Sequence, residues 1–218
     1  MVFWAANIVV LAAAYLLGSI PSGYLAGRWL KGIDIREHGS RSTGATNVLR
    51  TLGKGPALAV LLVDVLKGVA AVVLARWFSP WFSSMLQDAV PAADLHMLEP
   101  WLVCLAGLAA LLGHGRSIWL NFTGGKSAAT GLGVLLAMSW PVGLGAAAVF
   151  GISLAVSRIV SLSSMLAAVT AIALVCFLDQ PLAYRLLVLA GGVYVIMRHR
   201  ANIRRLLSGT EPRLGQKS

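Results

Sequence analysis

Charge is scarce in this chain. Charged residues make up 12% of its 218 positions, and only eight of them are acidic, against about 25% charged in an ordinary soluble domain. With 58% hydrophobic residues, a soluble fold of this size would have to hide several helices that are apolar all round, so composition excludes an ordinary water-soluble domain. Cysteine is nearly absent. Cys104 and Cys176 both lie inside apolar runs, where they read as small hydrophobes and not as a disulfide or a metal site. No basic residue precedes Arg28, so the apolar run 2–17 lacks the basic start of a signal peptide and reads as a retained first helix.

What is present is a series of apolar runs near the ~20 residues that cross a ~30 Å hydrocarbon core. Helices are expected at about 3–26, 56–77, 98–113, 160–178 and 182–197. The first is interrupted by Gly18, Ser19, Pro21, Ser22 and Gly23, which predicts a kink or break. Residues 127–156 are too long for one crossing and are split by Ser139, Trp140 and Pro141. They read as two short helices, 127–139 and 141–156, forming a tight or partly re-entrant pair. The fold class is therefore an all-α integral membrane protein of about seven transmembrane or partly re-entrant helices, organised as a single polytopic domain over 1–218. The net charge of +10 is uneven. Six basic residues face Asp34 and Glu37 between positions 28 and 54, and six more face Glu211 in the tail 198–218. Residues 77–100 carry Asp88, Asp94 and Glu99 with no Lys or Arg. The positive-inside rule then puts the N-terminus outside, the 77–100 loop outside, and the C-terminus with its basic tail in the cytoplasm. Nucleic-acid binding is not expected, because no soluble domain presents a basic surface.

Three polar, glycine-rich, basic stretches separate the apolar runs: GSRSTGATNVLR at 39–50, GHGRSIWLNFTGGKSAATG at 113–131, and RHRANIRR at 198–205. In the first, Gly39 and Gly44 allow unusual backbone angles, while Ser40, Ser42, Thr43, Thr46 and Asn47 supply donors. Such turns form anion nests, and Arg41 and Arg50 add fork-shaped phosphate donors; the competing reading is a plain flexible loop. In the second, Gly124, Gly125, Lys126 and Ser127 imitate the end of a nucleotide P-loop, but Leu120 stands where its first glycine belongs and no strand precedes it. What remains is a glycine pair and a lysine at a helix start, suited to a phosphate. His114 and Asn121 flank it, with a structural role the commoner one for a lone interfacial histidine. In the third, His199 and Asn202 share a face if the tail is helical, while Arg204 and Arg205 suit anchoring to anionic headgroups. Within the second apolar run, Asp64 and Lys67 either neutralise each other or reach an interior polar site. Helix topology places all these motifs, and Ser161, on one side.

A histidine followed five positions later by aspartate, the pair of acyl-CoA-type glycerolipid acyltransferases, is missing: His38, His96, His114 and His199 are followed there by Thr43, Trp101, Trp119 and Arg204. Neither G-x-S-x-G nor H-E-x-x-H occurs. The chain offers donors and positive charge without an obvious general base, nucleophile or metal-ligand cluster, so no metal and no cofactor are expected.

The stretches GSRSTGATNVLR, DVLKG at 64–68, GH followed by NFTGGKSAAT, and RHRANI with its basic tail resemble, in order and spacing, the bacterial acyl-phosphate-dependent glycerol-3-phosphate acyltransferase family (PlsY). The resemblance covers essentially the whole chain. It implies transfer of a fatty acyl group from acyl phosphate to the 1-hydroxyl of glycerol 3-phosphate in the bacterial inner membrane, with the active site facing the cytoplasm. The partners implied are acyl phosphate, glycerol 3-phosphate and membrane lipid, with no obligate protein partner. Carried over residue by residue, the catalytic group is Ser40, Lys126, His199 and Asn202. Substrate binding falls to Gly39, Ser42, Gly44, Ala45, Asn47, Arg50, Gly124, Gly125 and Ser161. Two departures stand out. Arg41, Ser42 and Thr43 replace the G-N-P of many members, and Thr123 and Ser127 replace the first lysine and last glycine of F-K-G-G-K-G. Two readings from other classes stay open at this point: a transporter or channel for an organic phosphate, which should show polar residues across the whole membrane and internal symmetry, and a membrane scaffold, which leaves the polar motifs unexplained.

Overall fold

A computed structural model describes residues 2–87, 91–95 and 97–215, almost wholly as α-helix. Asp88 and His96 lie outside the described residues, as do the last three positions of the tail. The helices are α1 (Val2–Ser19), α2 (Ser22–Lys31), α3 (Ala45–Leu52), α4 (Lys54–Leu86), α5 (Ala92–Leu95), α6 (Leu98–Gly115), α7 (Ala128–Met138), α8 (Trp140–Ser157), α9 (Val160–Phe177), α10 (Leu182–Arg198) and α11 (Arg200–Leu207). Five stretches among them are long and apolar enough to cross a membrane: Ala5–Lys31, α4, α6, α8 and α9. A sixth is α10 with α11, bent by 57° between them.

The expected break in the first run falls at Ile20 and Pro21, between α1 and α2. Proline there has no N–H to donate to the Leu17 carbonyl, which accepts Ile20 N at 3.3 Å instead, and the Ile20 carbonyl left at the break accepts Ser22 N and Lys67 Nζ, both at 3.0 Å. One boundary differs from expectation. The second long helix does not stop at 77 but runs to Leu86, through Pro80. Its aromatic run continues the helix, with Trp77, Phe78, Trp81 and Phe82 in ring contact along one flank. The expected short pair is present, each boundary within one residue of expectation, and its two members are unequal in length. Only α7, at 11 residues, is too short to cross, spanning about 16 Å. Ser139 breaks the chain in extended conformation, Pro141 sits in the first turn of α8, and α8 then runs 18 residues, about 27 Å.

The core lies between α1, α4, α6, α7, α8, α9 and α10, built from residues such as Val72, Val103, Val134, Val142 and Val175. A satellite cluster of Ile35, Val48, Ala57 and Val60 ties the 39–50 loop and α3 to the first turns of α4. Helices α4 and α7 pack backbone to backbone. A side chain on Gly68 would strike the Thr130 carbonyl, and one on Gly133 would strike that of Val65; this close approach is how helices associate where water supplies no hydrophobic drive. The result that matters for function is that all three polar stretches end up at one end of the bundle.

Candidate active site

A cavity of about 410 Å³ opens at that end and runs down between α4, α6, α7, α8, α9 and α10. Its upper wall is polar and its lower wall apolar. The polar wall begins with the 39–50 loop. Asn47, in the first turn of α3 and 1% exposed, reaches back and ties this loop together. Its Nδ2 donates to the carbonyls of Ile35 (3.0 Å), His38 (3.0 Å) and Ser42 (2.9 Å), and its Oδ1 accepts Ser40 N at 2.8 Å. Gly39, in the left-handed region at φ 55°, leaves room for that carboxamide oxygen. Asn47 therefore lines the cavity but spends its hydrogen bonds on the loop. Ser40, Ser42, Gly44, Ala45 and Arg50 line it as well, with hydroxyls and a guanidinium free to meet an anion.

Both departures from the family pattern put an ordinary residue where the backbone is left-handed: Arg41 at φ 57° and Ser127 at φ 62°. Ser127 has compensation, since its buried hydroxyl donates to Leu111 O at 2.7 Å. Arg41 is exposed, and its one backbone bond, to His38 O at 3.0 Å, does not need its side chain. Arg41→Gly is therefore expected to stabilise the protein by about 1 kcal/mol, read as a raised midpoint in thermal unfolding in detergent. An unchanged or lowered midpoint would refute strain at this position.

The second stretch folds as a cup against the end of α6. Ser117 Oγ donates to Ser19 O at 2.6 Å, and Gly125 N to His114 O at 3.1 Å. Arg198 Nη2 donates to the carbonyls of Gly124 (3.0 Å) and Gly125 (2.8 Å). A side chain on Gly125 would run into the His114 imidazole. Gly39, Gly124 and Gly125 thus stand behind the cavity lining, seating the loops, while Lys126 projects into it. Burial pushes the Lys126 ammonium down to about 8; Glu211 opposes that shift, whereas Arg205, Arg50 and Arg198 add to it.

The third stretch closes the polar end. At the bend after α10, His199 is 3% exposed, and its Nδ1 lies 2.8 Å from Val195 O. A carbonyl can only accept, so Nδ1 carries the proton and Nε2 of the neutral ring is left as an acceptor. Asn202 accepts Lys126 Nζ at 2.6 Å and donates to Glu211 Oε1 at 2.5 Å. Glu211 also accepts Ser161 Oγ at 2.7 Å and Arg205 Nε at 2.7 Å. Burial alone would raise the Glu211 carboxyl, but the hydrogen bonds from Ser161, Asn202 and Arg205 outweigh it and hold it below the usual range. Arg205, expected to anchor headgroups, is paired instead; Arg204 remains exposed. Ser161 stands in the first turn of α9. Glu211 was missing from the sequence-derived site, although it is the one acid in a strongly basic tail.

Beneath the cup sits a buried charged cluster. Asp64 Oδ1 lies 2.8 Å from Lys67 Nζ, accepts Ser22 Oγ at 2.7 Å, and is 3.5 Å from His114 Nδ1. Both expected fates hold: the pair neutralises itself, and Asp64 with His114 reaches the cavity wall. The two acids that line the cavity, Asp64 and Glu211, are thus both committed to partners. Among the described residues no group of three or more His, Cys, Asp or Glu could hold a metal ion. The arrangement can bind a phosphate between Lys126, Arg50 and the hydroxyls, present a neutral imidazole nitrogen and an amide beside it, and bury an apolar chain below.

Comparison with known proteins gives one consistent result. The glycerol-3-phosphate acyltransferase family model matches residues 8–209. Glycerol-3-phosphate acyltransferase 2 of Rhizobium johnstonii is 78% identical over 217 residues, covering 99% of both chains. Glycerol-3-phosphate acyltransferase of a Nostoc species is 57% identical over 219 residues, covering 100% of this chain and 96% of that one. Among solved structures, the integral membrane glycerol 3-phosphate acyltransferase PlsY in its glycerol 3-phosphate form superposes with a TM-score of 0.81 at 34% identity, covering 96% of each chain. Its lysophosphatidic acid form superposes at 0.77 and 35% identity, with the same coverage.

Proposed function

This chain belongs to the glycerol-3-phosphate acyltransferase family, and from that premise we propose that it moves a fatty acyl group from an acyl phosphate to the 1-hydroxyl of glycerol 3-phosphate. The products are lysophosphatidic acid and inorganic phosphate. The observation that carries this reading is the cavity itself, which joins a cationic, hydroxyl-rich head to an apolar trough. That is the outline of an acyl phosphate with glycerol 3-phosphate beside it. The whole chain, 1–218, acts as one domain in this reading.

An acyl phosphate is already activated, so the enzyme has chiefly to align the partners and stabilise developing negative charge. The glycerol 1-oxygen attacks the carbonyl carbon and a new ester C–O bond forms. The bond from that carbon to the phosphate oxygen breaks, and the phosphate leaves. The hydroxyl proton passes to a phosphate oxygen, so no protein base is required, which suits a site whose lining acids are both paired. Lys126 and Arg50 hold phosphoryl charge; Ser40, Ser42, His199 and Asn202 orient glycerol 3-phosphate, and Ser161 supports Asn202 through Glu211.

The concentration of basic residues in 28–54 and in the tail supports an active site facing the cytoplasm of a bacterial inner membrane. A transporter would need a polar lining continuing across the bundle, whereas the lower wall of the cavity is apolar.

The test is phosphate release from palmitoyl phosphate by purified protein, with and without glycerol 3-phosphate, following the lipid product. Release that depends on glycerol 3-phosphate and yields lysophosphatidic acid is expected. A folded preparation giving neither would sink the reading.

A further inference from the structure

The cavity lining ends after a similar run on the four helices that carry it deepest, α7, α8, α9 and α10. On α7, Leu135 lines it and Met138, three residues on, does not; on α8, Ala146 lines it and Val142 does not. On α9 the change comes between Ala171 and Val175, and on α10 between Leu187 and Tyr184. Met138, Val142, Val175 and Tyr184 are each buried, between 0% and 6% exposed, and belong to one packed core. They form a floor. It is also pinned from below: Arg76 of α4 donates to Ala137 O at 2.7 Å and Met138 O at 3.2 Å, its Nη2 lies 3.4 Å from Tyr184 Oη, and its Nε pairs with Glu99 at 3.3 Å. These bonds occupy the orphan carbonyls at the end of α7 and fasten two of the four floor residues to α4.

The distance from head to floor follows from helix rise. Ser161 to Ala171 on α9 is about 15 Å, and His199 to Leu187 on α10 about 18 Å, at 1.5 Å per residue. A bilayer core about 30 Å thick holds two leaflets of chains, about 15 Å each. The trough is therefore as deep as one membrane-length fatty chain. A trough that stops at packed side chains limits the length of chain that can lie straight along it.

Resting on the acyltransferase reading, we infer that the floor formed by Met138, Val142, Val175 and Tyr184 sets the upper length of the acyl chain, with Ala171 as the last position on α9 that a chain end passes. The donor class is an acyl phosphate of palmitoyl length or shorter. Chains longer than this meet the floor before the carbonyl reaches the phosphate site, and lose turnover by misplacement of the reacting carbon. Such misplacement is costly even when it is small.

The experiment compares kcat/KM for lauroyl, palmitoyl and arachidoyl phosphate using full-length protein in detergent, at saturating glycerol 3-phosphate. Wild type should favour palmitoyl over arachidoyl by about tenfold or more, the discrimination an apolar pocket supplies. Ala171→Phe raises the floor by about one side chain and should lower the palmitoyl-to-lauroyl ratio by about tenfold. Val175→Ala lowers the floor and should raise the arachidoyl-to-palmitoyl ratio. If Ala171→Phe turns over no chain at all, Val175→Ala decides alone, because truncation there leaves the lining intact. Ratios unchanged from wild type in the active variants overturn the inference while leaving the acyltransferase reading standing. A wild type inert toward all three donors overturns both.

Discussion

Replacing Lys126 by alanine is expected to lower kcat/KM for glycerol 3-phosphate by about 10²–10³-fold, the usual consequence of deleting one preorganised donor to developing charge, while the protein still folds and inserts. Among the described residues Lys126 carries the one side-chain ammonium in the cavity lining, and it donates to Asn202 at 2.6 Å. Its removal costs the fold little and the phosphate site much. The pH dependence gives an independent check. Because burial brings Lys126 down to about 8, its positive charge is present below that value and lost as pH rises through it. kcat/KM for wild type should accordingly fall above pH 8. In Lys126→Arg, whose guanidinium stays charged, that alkaline fall should disappear even though the geometry lowers the rate. Near-normal turnover by Lys126→Ala, with insertion verified by membrane fractionation, would remove Lys126 from the site.

Asp64→Ala should destabilise the protein by about 3–5 kcal/mol, since it strands a buried ammonium without its counter-charge. The pair is 3% and 1% exposed at its two side chains, and Lys67 has only the Ile20 carbonyl besides. The double variant Asp64→Leu with Lys67→Met removes both charges and should recover most of that loss. The comparison separates an ion pair that merely balances itself from one that also positions the site. If the recovered double variant regains stability but not turnover, Asp64 acts through Ser22 and His114 on the cup that holds Lys126. Equal stability of Asp64→Ala and wild type in denaturant or thermal unfolding would contradict the buried pair.

Much of this molecule was readable before any coordinates. Apolar length set which runs cross a bilayer, because water-free hydrocarbon leaves helix as the one way to satisfy a single chain's backbone. Breaks at Pro21 and Ser139 followed from missing donors and local bends, and the gathering of polar motifs at one end followed from helix topology and the uneven charge. Boundaries were weaker where apolarity continues past the membrane, as in the aromatic run of α4 to Leu86. Division of labour inside the motifs was not readable at all. Ser40 and Asn47 belong to the same polar stretch, yet the Asn47 amide is consumed by Ile35, His38 and Ser42. Gly125 and Lys126 are neighbours, yet one seats the loop on His114 and the other enters the cavity.

Sequence alone therefore determined the helical membrane class, the segments that cross, and the donor-rich, base-poor chemistry available, since each depends on residue type and local spacing. Only the tertiary structure decided that Glu211 folds back fifty positions in sequence to hold Ser161, and that four helices stop lining the cavity after a similar run. Both are matters of how separate segments register against one another, and that register is set by packing between surfaces that no local pattern encodes.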